Sequence, residues 1–162
     1  MIVLNSERPA PNFRLPSSGG EAIVLNDYRH RQPVVLFLAH GAACPSCRER
    51  LRAFAASYDA YREWDAEVLA VIPESPDAAW ALVAALGLPF PVLSDEEGRV
   101  RQAYTGQEGQ VGVFVLDRYN APQAWWLAGE AGELLTPGEA LDWVQLGELA
   151  CPECGVSEWP LL

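Results

Sequence analysis

Cys44 and Cys47, in the run Cys44-Pro45-Ser46-Cys47, are the residues of this chain best equipped for chemistry. Two thiols at that spacing fall about one helical turn apart, within disulfide reach of each other. A thiol attacks as its thiolate, and a helix N-terminus favours an anion through its unpaired N–H groups and macrodipole. Pro45 fits the first helical position, where a missing N–H costs no hydrogen bond. Cys44 is therefore expected at the helix mouth as the attacking thiol, with Cys47 further in as the resolving one. Arg48 lies near enough in sequence to favour the Cys44 thiolate. The plainer reading of such a pair is two buried or metal-binding cysteines; what favours redox chemistry is where the pair sits.

The elements around it supply that position. Residues 34–39 form a continuous apolar run, short enough for a strand buried on both faces. After the motif, Leu51, Phe54, Ala55 and Tyr58 recur at helical spacing, predicting a helix that runs to about Trp64. Residues 12–15 and 21–25 read as two strands of a hairpin around Ser17-Ser18-Gly19-Gly20. Residues 67–72 predict a second buried strand, parallel to the first through the intervening helix. Ser75-Pro76-Asp77 is a helix start and Gly87 a stop, and Thr136-Pro137-Gly138-Glu139 opens a final helix. Between them lie a short extended segment at 88–95, a short helix at 96–104 capped by Ser94 or Asp95, a strand at 111–117 and an antiparallel return at 123–127. Trp125 and Trp126 must point to opposite faces of that last strand, and core packing is expected of both.

A second pair closes the chain, Cys151-Pro152-Glu153-Cys154-Gly155. It resembles the knuckle of rubredoxins and zinc ribbons, which contributes two of the four ligands of a structural zinc site. The other two would come from Cys44 and Cys47, from a second chain, or from nowhere. Three readings stand: a relay exchanging disulfides with the first pair, a zinc site in a dimer, or an inert local disulfide. His40 is read as a loop or strand-end residue rather than a ligand.

Length and charge bound the rest. The 162 residues are enough for one core, divided as a domain at 1–149 and a tail at 150–162. The net charge of −11 argues against a nucleic-acid partner. The N-terminus shows no signal peptide and no run reaches membrane-spanning length, so the cytoplasm is expected.

The order of elements resembles the thioredoxin fold, and more closely its redoxin branch, the peroxiredoxin and alkyl hydroperoxide reductase superfamily. Pro11-Asn12-Phe13, Phe90-Pro91-Val92-Leu93-Ser94-Asp95 and Val113-Phe114-Val115-Leu116-Asp117 carry the resemblance. It implies an α/β domain with a central mixed sheet flanked by helices, an N-terminal hairpin and no cofactor beyond the thiols. Peroxiredoxins carry P-x-x-x-T-x-x-C with a peroxidatic final cysteine. In that register Cys47 takes the peroxidatic place, Cys44 the threonine's and His40 the proline's. The arginine those proteins bring from a later strand, like the cis-proline of thioredoxin-like reductases, would fall near Val111, and neither is there. With the peroxide-polarising donors unrecognisable, thiol–disulfide exchange is the first expectation and thiol peroxidase, with Cys47 attacking, the second. A non-catalytic redox-sensing or zinc-binding interaction domain is the third. The partners implied are a disulfide-containing protein or small molecule, a thiol electron donor, and a second copy in a homodimer.

Overall fold

The structure is a computed structural model describing residues 4–107 and 109–149. Cys151 and Cys154, with the relay and zinc readings attached to them, lie outside those residues. β1 (Arg14–Pro16) and β2 (Ala22–Val24) pair antiparallel as the expected hairpin, with Arg14 opposite Val24. The apolar run becomes β3 (Val34–Leu38), every residue of it buried. β4 (Glu67–Ile72) lies parallel to it, with Val35 beside Val68, and β5 (Val92–Ser94) continues the sheet in parallel. On the other side β6 (Val111–Leu116) and β7 (Pro122–Ala128) run antiparallel, giving the order β5-β4-β3-β6-β7. The hairpin covers the β5 edge, Ser17 bridging Leu93 and Ser18 N–H donating to Val92 O at 2.8 Å.

Period-two alternation along β3 divides the core between two faces. Val35 and Phe37 meet Cys47, Leu51 and Phe54 of α1 (Pro45–Ala56), Ala79 and Leu82 of α3 (Pro76–Leu86), and Ala140 and Val144 of α5 (Pro137–Leu149). Val34, Leu36 and Leu38 meet Phe13, Leu25, and Val100 and Tyr104 of α4 (Arg99–Thr105). The helix starts follow the predicted chemistry. Ser75 Oγ accepts Ala78 N–H at 3.2 Å and Gly87 takes the left-handed conformation (φ 63°) that stops α3. Thr136 and Glu139 form a reciprocal box, Thr136 Oγ1 accepting Glu139 N–H at 3.2 Å and Glu139 Oε1 accepting Thr136 N–H at 3.0 Å.

Two expectations need correction. The helix after the motif does not run unbroken to Trp64: it pauses at Ser57 (φ −97°, ψ 0°) and resumes as α2 (Tyr58–Glu63). Trp125 and Trp126 do alternate along β7, yet neither is core; they are 37% and 53% exposed. β7 is the outermost strand of the sheet, so alternation there separates two faces without burying either ring. Among the described residues no helix is long and apolar enough to cross a membrane.

Candidate active site

β3 delivers the chain to Ala39 and His40, and residues 41–43 turn it into α1. That turn is pinned from behind by Glu74, whose Oε1 accepts Ala42 N–H at 2.6 Å. A Cβ on Gly41 would lie 2.6 Å from the same oxygen, so a side chain there would push out the carboxylate that holds the loop. Arg48 braces the turn as well, its Nη1 donating to Ala42 O at 3.2 Å. The guanidinium is thereby held against the loop that leads into Cys44.

Cys44 caps α1. Its backbone is extended (φ −68°, ψ 116°), and its Sγ accepts Cys47 N–H at 3.4 Å. Pro45 follows at the start of the helix, as expected. Ser46 Oγ stands 3.3 Å from the Cys44 sulfur and His40 Nδ1 3.8 Å from it. Cys47 is fully buried, and its Sγ accepts His40 N–H at 3.3 Å. A ring nitrogen of His40 and the two sulfurs lie within 4.8 Å of one another.

The surroundings drive the two thiols apart. Burial alone would raise Cys44, but the Ser46 hydroxyl, the Cys47 thiol and N–H, and the His40 ring outweigh it and bring it down to about 6. Burial pushes Cys47 up, and the Cys44 thiol adds to the effect, leaving it at about 11. At neutral pH Cys44 is the thiolate and Cys47 the thiol. Iodoacetamide labelling of the reduced protein should therefore rise through a midpoint near pH 6 at Cys44 and leave Cys47 nearly untouched. Peptide mapping reads each cysteine apart, and faster labelling at Cys47 would reverse the assignment.

One residue escaped the sequence reading. Arg101 of α4 is only 8% exposed, and its guanidinium donates to Ala39 O and to Gln110 O. α4 starts at Arg99 rather than at 96, with Gly98 (φ 72°) at its N-cap; Asp95 accepts Arg101 N–H at 3.0 Å and Val100 N–H at 3.2 Å in its first turn. Val111 itself is buried at the start of β6 opposite Ala128 and brings no polar group. A buried cation thus reaches this end of the sheet from a helix, bonded to the carbonyl that precedes Val111. Its sequence signal is the spacing of Val100, Arg101, Tyr104 and Thr105, a buried helical stripe that contains an arginine. A cleft of about 810 Å³ opens beside His40, with Pro73, Glu96, Arg101, Gln102 and Gly109 in its walls.

A buried strand, a dithiol at the mouth of the helix that follows, and a mixed sheet in this order define a thioredoxin-like redoxin. Residues 7–121 match the AhpC/TSA family, and the chain belongs to that family. The Mycobacterium tuberculosis protein Rv2521 is 32% identical over 126 residues, covering 78% of this chain and 79% of that one. Chloroplastic peroxiredoxin Q of Triticum aestivum is 32% identical over 119 residues, 70% of this chain and 54% of the relative. The chain spans about half the length of the plant relatives it matches. Among solved structures, the M. tuberculosis peroxidoxin BcpB superposes with a TM-score of 0.76 at 18% identity, covering 89% of this chain and 98% of that one. Enterococcus faecalis AhpC gives 0.78 at 16% identity, covering 90% and 98%. At these identities the superpositions establish the fold.

Proposed function

We propose that the protein is a thiol peroxidase that reduces hydroperoxides with the Cys44–Cys47 dithiol. The Cys44 thiolate attacks the nearer peroxide oxygen, the O–O bond breaks, and the alkoxide or hydroxide leaves as an alcohol or water after taking up a proton. Cys44 is then a sulfenic acid. The Cys47 thiol condenses with it, forming the disulfide and releasing water. A thiol electron donor returns the pair to the dithiol by disulfide exchange, so the exchange chemistry expected from the sequence becomes the second half of the cycle.

Family membership supports the peroxidase reaction. The observation that carries the assignment of roles is the contrast between the two thiols: Cys44 partly exposed and low in pKa, Cys47 buried and high. That contrast favours Cys44 over Cys47, against the family register, as the thiol that meets peroxide. The cleft beside His40 has the size of a small-molecule site and leaves room for the organic part of an alkyl hydroperoxide. A second reading, a dedicated disulfide reductase, draws support from the absence of an arginine at Val111. Stopped-flow tryptophan fluorescence of the reduced protein separates the two. Reaction with hydrogen peroxide and cumene hydroperoxide should be fast and stoichiometric, and much faster than reduction of insulin disulfides. The reverse order of rates would leave the reductase reading standing alone.

A further inference from the structure

The His40 side chain is held in one orientation by a contact whose chemistry fixes its proton. Nε2 lies 2.8 Å from the carbonyl oxygen of Gly109. A carbonyl only accepts, so Nε2 is the nitrogen that carries hydrogen. A neutral ring then has its lone pair on Nδ1, the atom that faces Cys44 Sγ at 3.8 Å. The backbone is fixed too, since His40 N–H donates to Cys47 Sγ at 3.3 Å. Base beside nucleophile, with a third group orienting the base, is the arrangement that activates a weak nucleophile.

The same ring forms part of the wall of the 810 Å³ cleft. Neither cysteine is in that wall, so the ring is the part of the dithiol site that the cleft reaches, with Cys44 Sγ 3.8 Å from its Nδ1. From this geometry we infer that His40 carries the proton of the peroxidase cycle, taking it from the Cys44 thiol and delivering it to the leaving oxygen. The inference rests on the peroxidase reading. The proton moves from Sγ to Nδ1 as the thiolate forms, the thiolate's electron pair makes the S–O bond, and the O–O pair leaves on the outer oxygen. That oxygen takes the Nδ1 proton, and the ring is neutral again. No outside acid is required. The group matters here because Val111 provides no donor and Arg101 already spends its guanidinium on the Ala39 and Gln110 carbonyls. Among the described residues, the charged and titratable groups around this region include Cys44 and Cys47 from the motif, Glu74 and Arg48 on the loop, and Glu96, Glu97, Arg99 and Arg101 around the cleft.

His40→Gln tests the inference, because an amide can keep a donor toward Gly109 but cannot exchange a proton. His40→Ala, which leaves space for imidazole, is the companion. Two readouts are taken on the full chain: thiolate absorbance at 240 nm against pH, and second-order rates with peracetic acid, cumene hydroperoxide and tert-butyl hydroperoxide. His40→Gln should raise the Cys44 midpoint. It should slow tert-butyl hydroperoxide by about 100-fold or more, the scale of general-acid catalysis, and peracetic acid far less, because its leaving group needs little protonation. Imidazole should restore part of the rate in His40→Ala. An equal loss with all three peroxides, or an unchanged rate with an unchanged midpoint, would overturn the inference and reduce His40 to a packing residue. A wild-type protein that reduces none of the three fails the peroxidase reading instead. In that case the 240 nm titration alone still decides whether His40 is the base for Cys44, a shifted midpoint in His40→Gln keeping that half and an unchanged one removing it.

Discussion

Cys44→Ser should abolish peroxide turnover, with a loss of roughly 1,000-fold or more, while Cys47→Ser should consume one equivalent of peroxide and then stop. The reasoning is one of ionisation. Cys44 is brought down to about 6 and is mostly thiolate at pH 7, whereas a serine hydroxyl in its place stays neutral and a poor nucleophile. Cys47 cannot substitute, since it is fully buried and held at about 11. Without Cys47, Cys44 still reacts but has no partner inside α1, so its sulfenic acid should persist and be trapped by dimedone. Mass spectrometry of the labelled peptide reads the outcome. A Cys44→Ser protein that still reacts stoichiometrically with peroxide, beside a dead Cys47→Ser, would restore the family register and return the attacking role to Cys47.

Arg101→Met should cost about 2–4 kcal/mol of stability and loosen the site with it. The guanidinium satisfies two buried-side carbonyls, Ala39 O and Gln110 O, and each loses its donor in the variant at about 1–3 kcal/mol. Relief from burying a charge offsets part of this, because burial already pulls the Arg101 pKa below its usual value. The two carbonyls belong to the residue after β3 and the residue before β6, so Arg101 ties together the strand ends that carry His40 and Val111. Thermal unfolding should shift down by about 5–12 °C on the usual scale for a domain of this size. Arg101→Lys should recover little, because a single ammonium replaces a planar fork that reaches two acceptors at once. A Met variant within 2 °C of wild type would show that these bonds hold nothing.

How much of this was legible in the sequence depended on whether the signal was local. Ser75-Pro76-Asp77 and Thr136-Pro137-Gly138-Glu139 announced their helices because a cap is made by neighbours in the chain. The buried strands announced themselves by unbroken apolar runs, and the CxxC pair by its place between strand and helix. Trp125 and Trp126 misled because period two tells which residues share a face and says nothing of what covers it. The break at Ser57 is a small dihedral change inside a pattern that stays amphipathic on both sides. His40 and Arg101 were legible only in part: His40 stood out beside the motif and Arg101 sits in a buried helical stripe, but what each would touch was not readable. One partner of each lies 69 and 62 residues away, at Gly109 and Ala39, and the fold brings those groups together.

The nearness of the two sulfurs carries a consequence for how a partner would sense this molecule. They lie within 4.8 Å while a disulfide needs about 2 Å, so oxidation closes less than about 3 Å inside one helical turn. The loop behind them is already held by Glu74 and Arg48, leaving little else to move. What does change is that a negative sulfur at the helix mouth becomes neutral. An electron donor selecting the oxidised molecule therefore has a difference in electrical potential to read at the helix mouth, where one negative charge is gone.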